Sequence, residues 1–169
     1  MDWVAQNATP GKSVVNMSLG GGKSQAIDDA AGRLFAANIP LIVAAGNDEN
    51  QDACDGSPSG AANTLTVAAS DNTDTTASFT SYGSCVEIFG PGVDITSSWI
   101  GGANAKNTIS GTSMATPHVV GVAALYLSQG GIDSAQALFD KLTSTSTPDK
   151  IQGDLKGSPN KLVYNGGAN

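Results

Sequence analysis

An almost wholly apolar run, Ile39–Ala45, constrains the fold of this chain more than any other segment. The run ends at Gly46-Asn47, where the chain turns. A strand without alternation between apolar and polar residues is covered on both faces, and such strands occur in parallel sheets that have helices packed on each side. We therefore expect an α/β fold in which a parallel β-sheet is flanked by helices.

The remaining sequence supports this expectation, because short β-rich runs alternate with helical patterns. Further strands are predicted at Ser13–Leu19, Thr64–Ala69 and Val86–Phe89. Helices are predicted from Ser24, a possible N-cap, to about Asn38, over Thr112–Leu127, and from a capping box at Asp133 and Gln136 to about Leu142. The helix over Thr112–Leu127 is apolar nearly all round, so we expect it to be buried.

Charge and hydropathy exclude two classes of partner. The chain has 15 acidic and 8 basic residues and a net charge of -7, and the basic residues are scattered. A nucleic-acid-binding protein normally concentrates basic residues on one face, so nucleic acid is not an expected partner. No apolar run approaches the length of a membrane span, so no membrane is expected either.

The two cysteines, Cys54 and Cys85, could form a disulfide, remain free thiols or supply half of a metal site. Neither belongs to a Cys-x-x-Cys pair and the single histidine lies far along the chain, which disfavours zinc. We favour a disulfide, which implies an oxidising compartment. Secretion is therefore expected, with the vacuole as the alternative.

The most informative segment is Ser110-Gly-Thr-Ser-Met-Ala-Thr-Pro-His118. A serine hydroxyl is a weak nucleophile unless its surroundings activate it. We expect a tight turn to lead into a helix in this segment, which would expose the hydroxyl of Ser113. Backbone N–H groups and the helix dipole would then point at the position where negative charge develops during attack on a carbonyl.

This segment is similar to the serine motif of subtilases, the subtilisin-like serine peptidases. Three further segments resemble the proteinase K branch in the same order, namely Ser18-Leu-Gly-Gly21, Ala44-Ala-Gly-Asn47 and Phe89-Gly-Pro-Gly92. The end of the chain, from Gly157 to Asn165, is similar to fungal members. The resemblance implies a subtilisin-like fold and the hydrolysis of peptide bonds in a peptide or protein substrate.

Position by position, the resemblance implies that Ser113 is the nucleophile and that Asn47 donates its side-chain amide to the oxyanion beside the Ser113 N–H. An exposed edge would pair with extended peptide, and a wall of small residues would bound the pocket for a large apolar side chain. The edge consists of Ser18, Leu19, Gly20 and Gly21, and the wall of Ala44, Ala45 and Gly46.

Proteinase K relatives bind calcium with one carboxylate and two carbonyls. Here the matching carboxylate is Glu87 instead of aspartate, and the carbonyls are those of Ala62 and Thr64. The chemistry itself requires no cofactor, so calcium is expected at most as a structural ion.

The base of a catalytic triad is missing from the sequence. Its single histidine, His118, follows Ser113 by five residues on the same helix, so the two side chains point from different faces. We expect His118 to pack and hydrogen-bond behind the site. The other candidates are Glu49, Glu87, Lys106 and Lys141, and no pattern supports any of them.

In this family the Asp and His motifs precede the serine motif. The chain also opens as if within an amphipathic helix, with Trp3 and Val4 facing inward. We therefore expect residues 1–169 to be the C-terminal portion of one incomplete peptidase domain, whose partner is the N-terminal part of the same domain. The alternative is a non-catalytic peptide-binding fragment or decoy.

Overall fold

The computed structural model describes residues 1–167 as ten strands and four helices. The strands are β1 (Val15–Met17), β2 (Gly21–Gly22), β3 (Leu41–Ala44), β4 (Gly56–Ser57), β5 (Leu65–Ser70), β6 (Ile88–Pro91), β7 (Ile95–Ser98), β8 (Lys106–Ile109), β9 (Thr147–Pro148) and β10 (Lys161–Leu162). The helices are α1 (Asp2–Asn7), α2 (Gln25–Ala36), α3 (Thr112–Gln129) and α4 (Ala135–Thr145), and Ala53–Asp55 form a 3₁₀ turn.

The central sheet has six strands in the order β1-β3-β5-β6-β10-β9. All neighbouring pairs are parallel except β10 and β9. The two-stranded sheets β2-β4 and β7-β8 lie outside it. The predicted α/β fold with a parallel sheet flanked by helices is therefore confirmed.

Strand β3, the second strand of the central sheet, is buried on both faces, as its apolar run predicts. Leu41 and Val43 pack with Leu34 of α2, whereas Ile42 belongs to the cluster on the opposite face, beneath α3 and α4. Helices on both sides of the sheet thus explain why the run has no polar alternation. Each large aliphatic side chain buried in this way stabilises the fold by about 1.5–3 kcal/mol.

Helix α3 is buried on one side only, so the expectation of complete burial is wrong. Val119, Ala123 and Tyr126 face the core, while His118 and Leu125 are exposed, Leu125 by 49%. The exposed side is apolar or weakly polar for most of its length.

Among residues 1–167, no helix is both long and apolar enough to cross a membrane.

Element boundaries differ from the predictions at several points. Ser24 is the N-cap of α2 but makes no side-chain capping bond, and the cap of α4 is Ser134 instead of Asp133. Trp3 is 73% exposed, contrary to the prediction that it faces inward, although Val4 packs against the α2 cluster. The hairpin β7-β8 and the pair β9-β10 were not predicted, because their short polar strands lack an apolar signal.

Candidate active site

The loops that follow β1 and β3 meet the first turn of α3 at one edge of the sheet. They enclose a cleft of about 460 Å³. The predicted residues that line it are Leu19, Gly20, Gly21, Ala44, Ala45, Gly46, Asn47 and Ser113. The sequence analysis did not identify the other lining residues, which are Gly22, Asp48, Gln51, Gly56, Ser59 and Thr112.

Ser113 and Ser18 hold each other by two reciprocal hydrogen bonds. The Ser113 hydroxyl donates to the carbonyl of Ser18 over 3.1 Å, and the Ser18 hydroxyl donates to the carbonyl of Ser113 over 2.8 Å. Pro117 lies four residues after Ser113 and has no N–H, so it cannot occupy that carbonyl as an ordinary helix residue would. The proline thereby leaves an acceptor through which the loop after β1 is fixed to the nucleophile.

Asn47 is oriented by Thr112, the residue before the nucleophile. The Asn47 side-chain oxygen accepts from the Thr112 N–H over 2.9 Å and from the Thr112 hydroxyl over 2.8 Å. Because both bonds engage Oδ1, the Nδ2 group points away from Thr112 and keeps its protons for another acceptor. The N–H of Ser113 lies in the first turn of α3, where no residue four positions earlier in the helix can accept its proton.

The wall formed by Ala44, Ala45 and Gly46 leaves the cleft wide. Gly46 has a positive φ of 116°, and a side-chain carbon there would lie 2.7 Å from the hydroxyl of Ser81. Glycine is therefore required at this position both by its backbone conformation and by the available space. On the opposite side, β2 pairs with β4 through one edge, while Leu19 and Gly20 are exposed.

His118 does not reach the nucleophile. Its Nδ1 is 2.8 Å from the carbonyl of Met114, one turn back on α3, and the ring is exposed. The predicted hydrogen bonding is present, with a partner on the same helix, but the prediction that the ring packs behind the site is wrong because the ring is exposed. The face on which it lies is uncovered in this chain.

None of the four other candidate bases lines the cleft. Within residues 1–167, its one ionisable lining residue is Asp48. Lys141 lies 5.4 Å from the centre of the Tyr126 ring, and Lys106 begins β8, outside the lining. The described residues also contain no group of three His, Cys, Asp or Glu side chains that could hold a metal ion.

The predicted disulfide between Cys54 and Cys85 is present, with the two Cα atoms 5.2 Å apart. It joins the 3₁₀ turn before β4 to the loop before β6. The segment that contributes Gly56 and Ser59 to the cleft is therefore covalently attached to the central sheet.

Glu87 lies beside a second cavity, of about 300 Å³, that Ala62, Thr64 and Asp140 also line. Its Oε2 accepts a short hydrogen bond from the Thr66 N–H, and burial raises the pKa of the carboxyl from 4.5 to about 8. A carboxylate with carbonyl oxygen atoms would suit calcium, and a cation beside Glu87 would offset the cost of burying its charge. The lining of the same cavity also includes Lys161.

Comparisons with known proteins agree with this geometry. The family model described as "Subtilase family" matches residues 1–161. The crystal structure of a cold adapted subtilisin-like serine proteinase superposes with a TM-score of 0.92 and 45% sequence identity, covering 99% of this chain. The chain belongs to the subtilase family.

Two fungal proteins are among its relatives. The chain is 50% identical over 168 residues to the cuticle-degrading serine protease of Arthrobotrys oligospora. It is also 50% identical over 165 residues to alkaline protease 1 of Emericella nidulans. Both alignments cover 98% of this chain but only 41% and 40% of the relatives, and the crystal structure is covered to 59%. The chain thus spans about two fifths of the length of these curated relatives.

Proposed function

We propose that this chain supplies the nucleophile and the oxyanion donors of a serine endopeptidase. The observation that carries the proposal is the position of Ser113 in the first turn of α3, where its carbonyl is held by Ser18 and the amide of Asn47 is fixed by Thr112 at the same cleft. Family membership supports the same reaction.

In this reaction Ser113 Oγ forms a bond to the carbonyl carbon of the substrate, and the hydroxyl proton passes to a base outside this chain. The negative charge that develops on the carbonyl oxygen is stabilised by Asn47 Nδ2 and the Ser113 N–H. The C–N bond then breaks, the amine leaves with a proton, and water releases the acyl group from Ser113.

Substrate recognition follows from the walls of the cleft. An extended peptide can pair with the edge Ser18–Gly21, while the side chain before the cleaved bond enters the cleft beside Ala44, Ala45 and Gly46. Small uncharged residues at this wall favour large apolar or aromatic side chains. We therefore propose an apolar preference at this position.

We further propose that the base and its orienting carboxylate come from another part of the same domain. Two surfaces that no residue within 1–167 covers support this: the outer edge of β1, which lies at one end of the sheet, and the exposed side of α3. The proposed environment is extracellular, in line with the disulfide and with a relative named extracellular serine proteinase from Thermus. A structural calcium would be held by Glu87 with the carbonyls of Ala62 and Thr64 and would neutralise the buried carboxylate.

One observation favours a second candidate. The cleft is lined by Leu19–Gly22 and by Ala44–Gly46, but no histidine lines it within residues 1–167. A chain that acts alone could therefore bind peptide without cleaving it.

The test uses a fluorophosphonate probe, which labels only an activated serine, on the complete natural polypeptide and on residues 1–169. Labelling and peptide hydrolysis should occur in the complete polypeptide and disappear with Ser113→Ala. The matched control Ser128→Ala, on an exposed hydroxyl of the same helix, should retain both. The chain alone should show neither. Labelling that survives Ser113→Ala would contradict the proposal, and peptide binding without labelling of the complete polypeptide would favour the second candidate.

A further inference from the structure

Lys23 follows directly after the glycine edge of the cleft and points its ammonium group into a cage of oxygen atoms. Nζ lies 2.9 Å from the carbonyl of Gly60 and 3.3 Å from the carbonyls of Cys54 and Gly56. The carboxylate of Asp28 completes the cage, with Oδ2 at 3.1 Å from Nζ. The three N–H groups of the ammonium therefore face three carbonyls, and the carboxylate balances its charge.

The cage offers more oxygen atoms than an ammonium group can satisfy. Asp28 Oδ1 is buried and has no hydrogen-bond partner among the described residues. Converging main-chain carbonyls beside a carboxylate are the donor set by which proteins bind hard cations. In this chain the cation at that place is the ammonium group of Lys23, which is covalently attached through the lysine side chain.

The three carbonyl oxygen atoms of the cage come from a segment that lines the cleft. Residues 54–60 include Gly56 and Ser59, which line the cleft together with Gly20–Gly22. The two segments also pair as β2 and β4, and the Ser24 N–H donates to the Ser57 hydroxyl over 2.9 Å. Lys23 therefore connects the end of strand β2 with the segment 54–60.

Gly60 shows that the carbonyl side of the cage is tightly packed, while the Lys23 side chain as a whole is 48% exposed. A side-chain carbon at this position would lie 2.2 Å from the carbonyl oxygen of Cys54 and 2.8 Å from Lys23 Nζ. A residue other than glycine would therefore displace the carbonyl or the ammonium. The segment can wrap around the cation because position 60 has no side chain.

We propose that the ammonium group of Lys23 occupies a cation-binding site and acts as a positioning residue that fixes the width of the cleft. The expected effect of Lys23 on peptide hydrolysis rests on the proposed function. The existence of the cation-binding site does not depend on that function. Removing the stem and its charge should open the site to a free monovalent cation of similar size. Ammonium ion is the closest probe, and potassium is the second.

The first experiment measures the unfolding temperature of the complete polypeptide in chloride salts of ammonium, potassium and tetramethylammonium at equal ionic strength. Lys23→Ala should lower the unfolding temperature by roughly 3–6 °C in tetramethylammonium, which is too large for the cage, and ammonium should restore about half of the loss. Lys23→Met fills the site with an uncharged stem and should lose stability without any recovery. Lys150→Ala removes an exposed lysine and should behave like the unaltered protein.

An unchanged unfolding temperature in Lys23→Ala would overturn the proposal. Equal recovery in all three salts, or the same recovery in Lys23→Met, would also overturn it, since either would indicate general screening. If Lys23→Ala aggregates, the three salts are compared during refolding. Recovery of folded protein in ammonium but not in tetramethylammonium then supports the site, and equal yields contradict it.

The second experiment concerns the cleft. In Lys23→Ala the KM for peptides with a large apolar residue before the cleaved bond should rise about five- to tenfold, while kcat changes less than about threefold, and ammonium should reverse the change. A loss confined to kcat would contradict a role in shaping the cleft. If no form of the complete polypeptide hydrolyses peptide while the thermal shifts occur as described, the proposed function fails and the cation site remains.

Discussion

The two sides of helix α3 are both apolar in sequence, yet only one of them is covered. Val119 and Ala123 are completely buried against the sheet, whereas Leu125 is exposed by 49% and His118, about two turns earlier, is exposed on the same open side. An apolar helix surface in a sequence therefore does not establish that other residues of the same chain cover that surface. The covered side should determine the stability of this chain, and the open side should contribute little.

The largest expected effect tests this difference with two leucines. Leu138 of α4 is fully buried in the cluster beneath α3. Leu138→Ala should lower the free energy of unfolding by about 2–5 kcal/mol, because it leaves a cavity in the core. Leu125→Ala should change it by less than about 0.5 kcal/mol. Denaturant titration of residues 1–169 measures both, and equal losses would show that the open side is packed in solution.

Away from α3, the half-buried carboxyl group of Glu87 should make stability depend on pH. The pKa of Glu87 is raised from 4.5 to about 8, so between these values the folded chain holds a proton that the unfolded chain has released. With a chelator present, the free energy of unfolding should therefore fall as pH rises from 4.5 to 8. The full shift would give roughly 5 kcal/mol, and because Glu87 is partly exposed we expect about 2 kcal/mol. Glu87→Gln should remove most of this slope, and parallel curves for the two proteins would contradict the assignment.

The sequence predicts a structural feature well when the residues that produce it are close together along the chain. The apolar run Ile39–Ala45 and the serine motif are local signals, and both lie where the sequence analysis places them. The link from Thr112 to Asn47 joins residues 65 positions apart, and the carbonyl oxygen atoms around Lys23 lie 31 to 37 positions away from it. Such contacts are set by the sheet order, which residue spacing alone does not contain.

A smaller effect is expected where α3 begins. Thr112→Val keeps the shape of the side chain but removes the hydroxyl bond to Asn47 Oδ1, so the amide is oriented only by the remaining N–H bond. In the complete polypeptide, kcat should fall about tenfold while KM stays within about twofold. Thr96→Val, on an exposed strand, is the matched control. A rise in KM with unchanged kcat would instead assign Thr112 to substrate binding.

The smallest effect is expected on the open side of α3. His118→Ala removes an exposed ring whose Nδ1 contacts the Met114 carbonyl. The free energy of unfolding of residues 1–169 should change by less than about 0.5 kcal/mol. A loss of 2 kcal/mol or more in the same denaturant titration would mean that this side is covered, as by a second copy of the chain.

The strand order of the central sheet bears on how the chain folds during synthesis. Strands β1, β3, β5 and β6 lie beside one another in the order in which they occur in the sequence. As the chain leaves the ribosome, each of these strands meets a neighbour that has already emerged, so the sheet can grow in one direction. Strand β10 is the last to arrive and enters between β6 and β9. A nascent chain that stops after α3 therefore leaves β6 with an unpaired edge, on which another nascent chain can begin to aggregate.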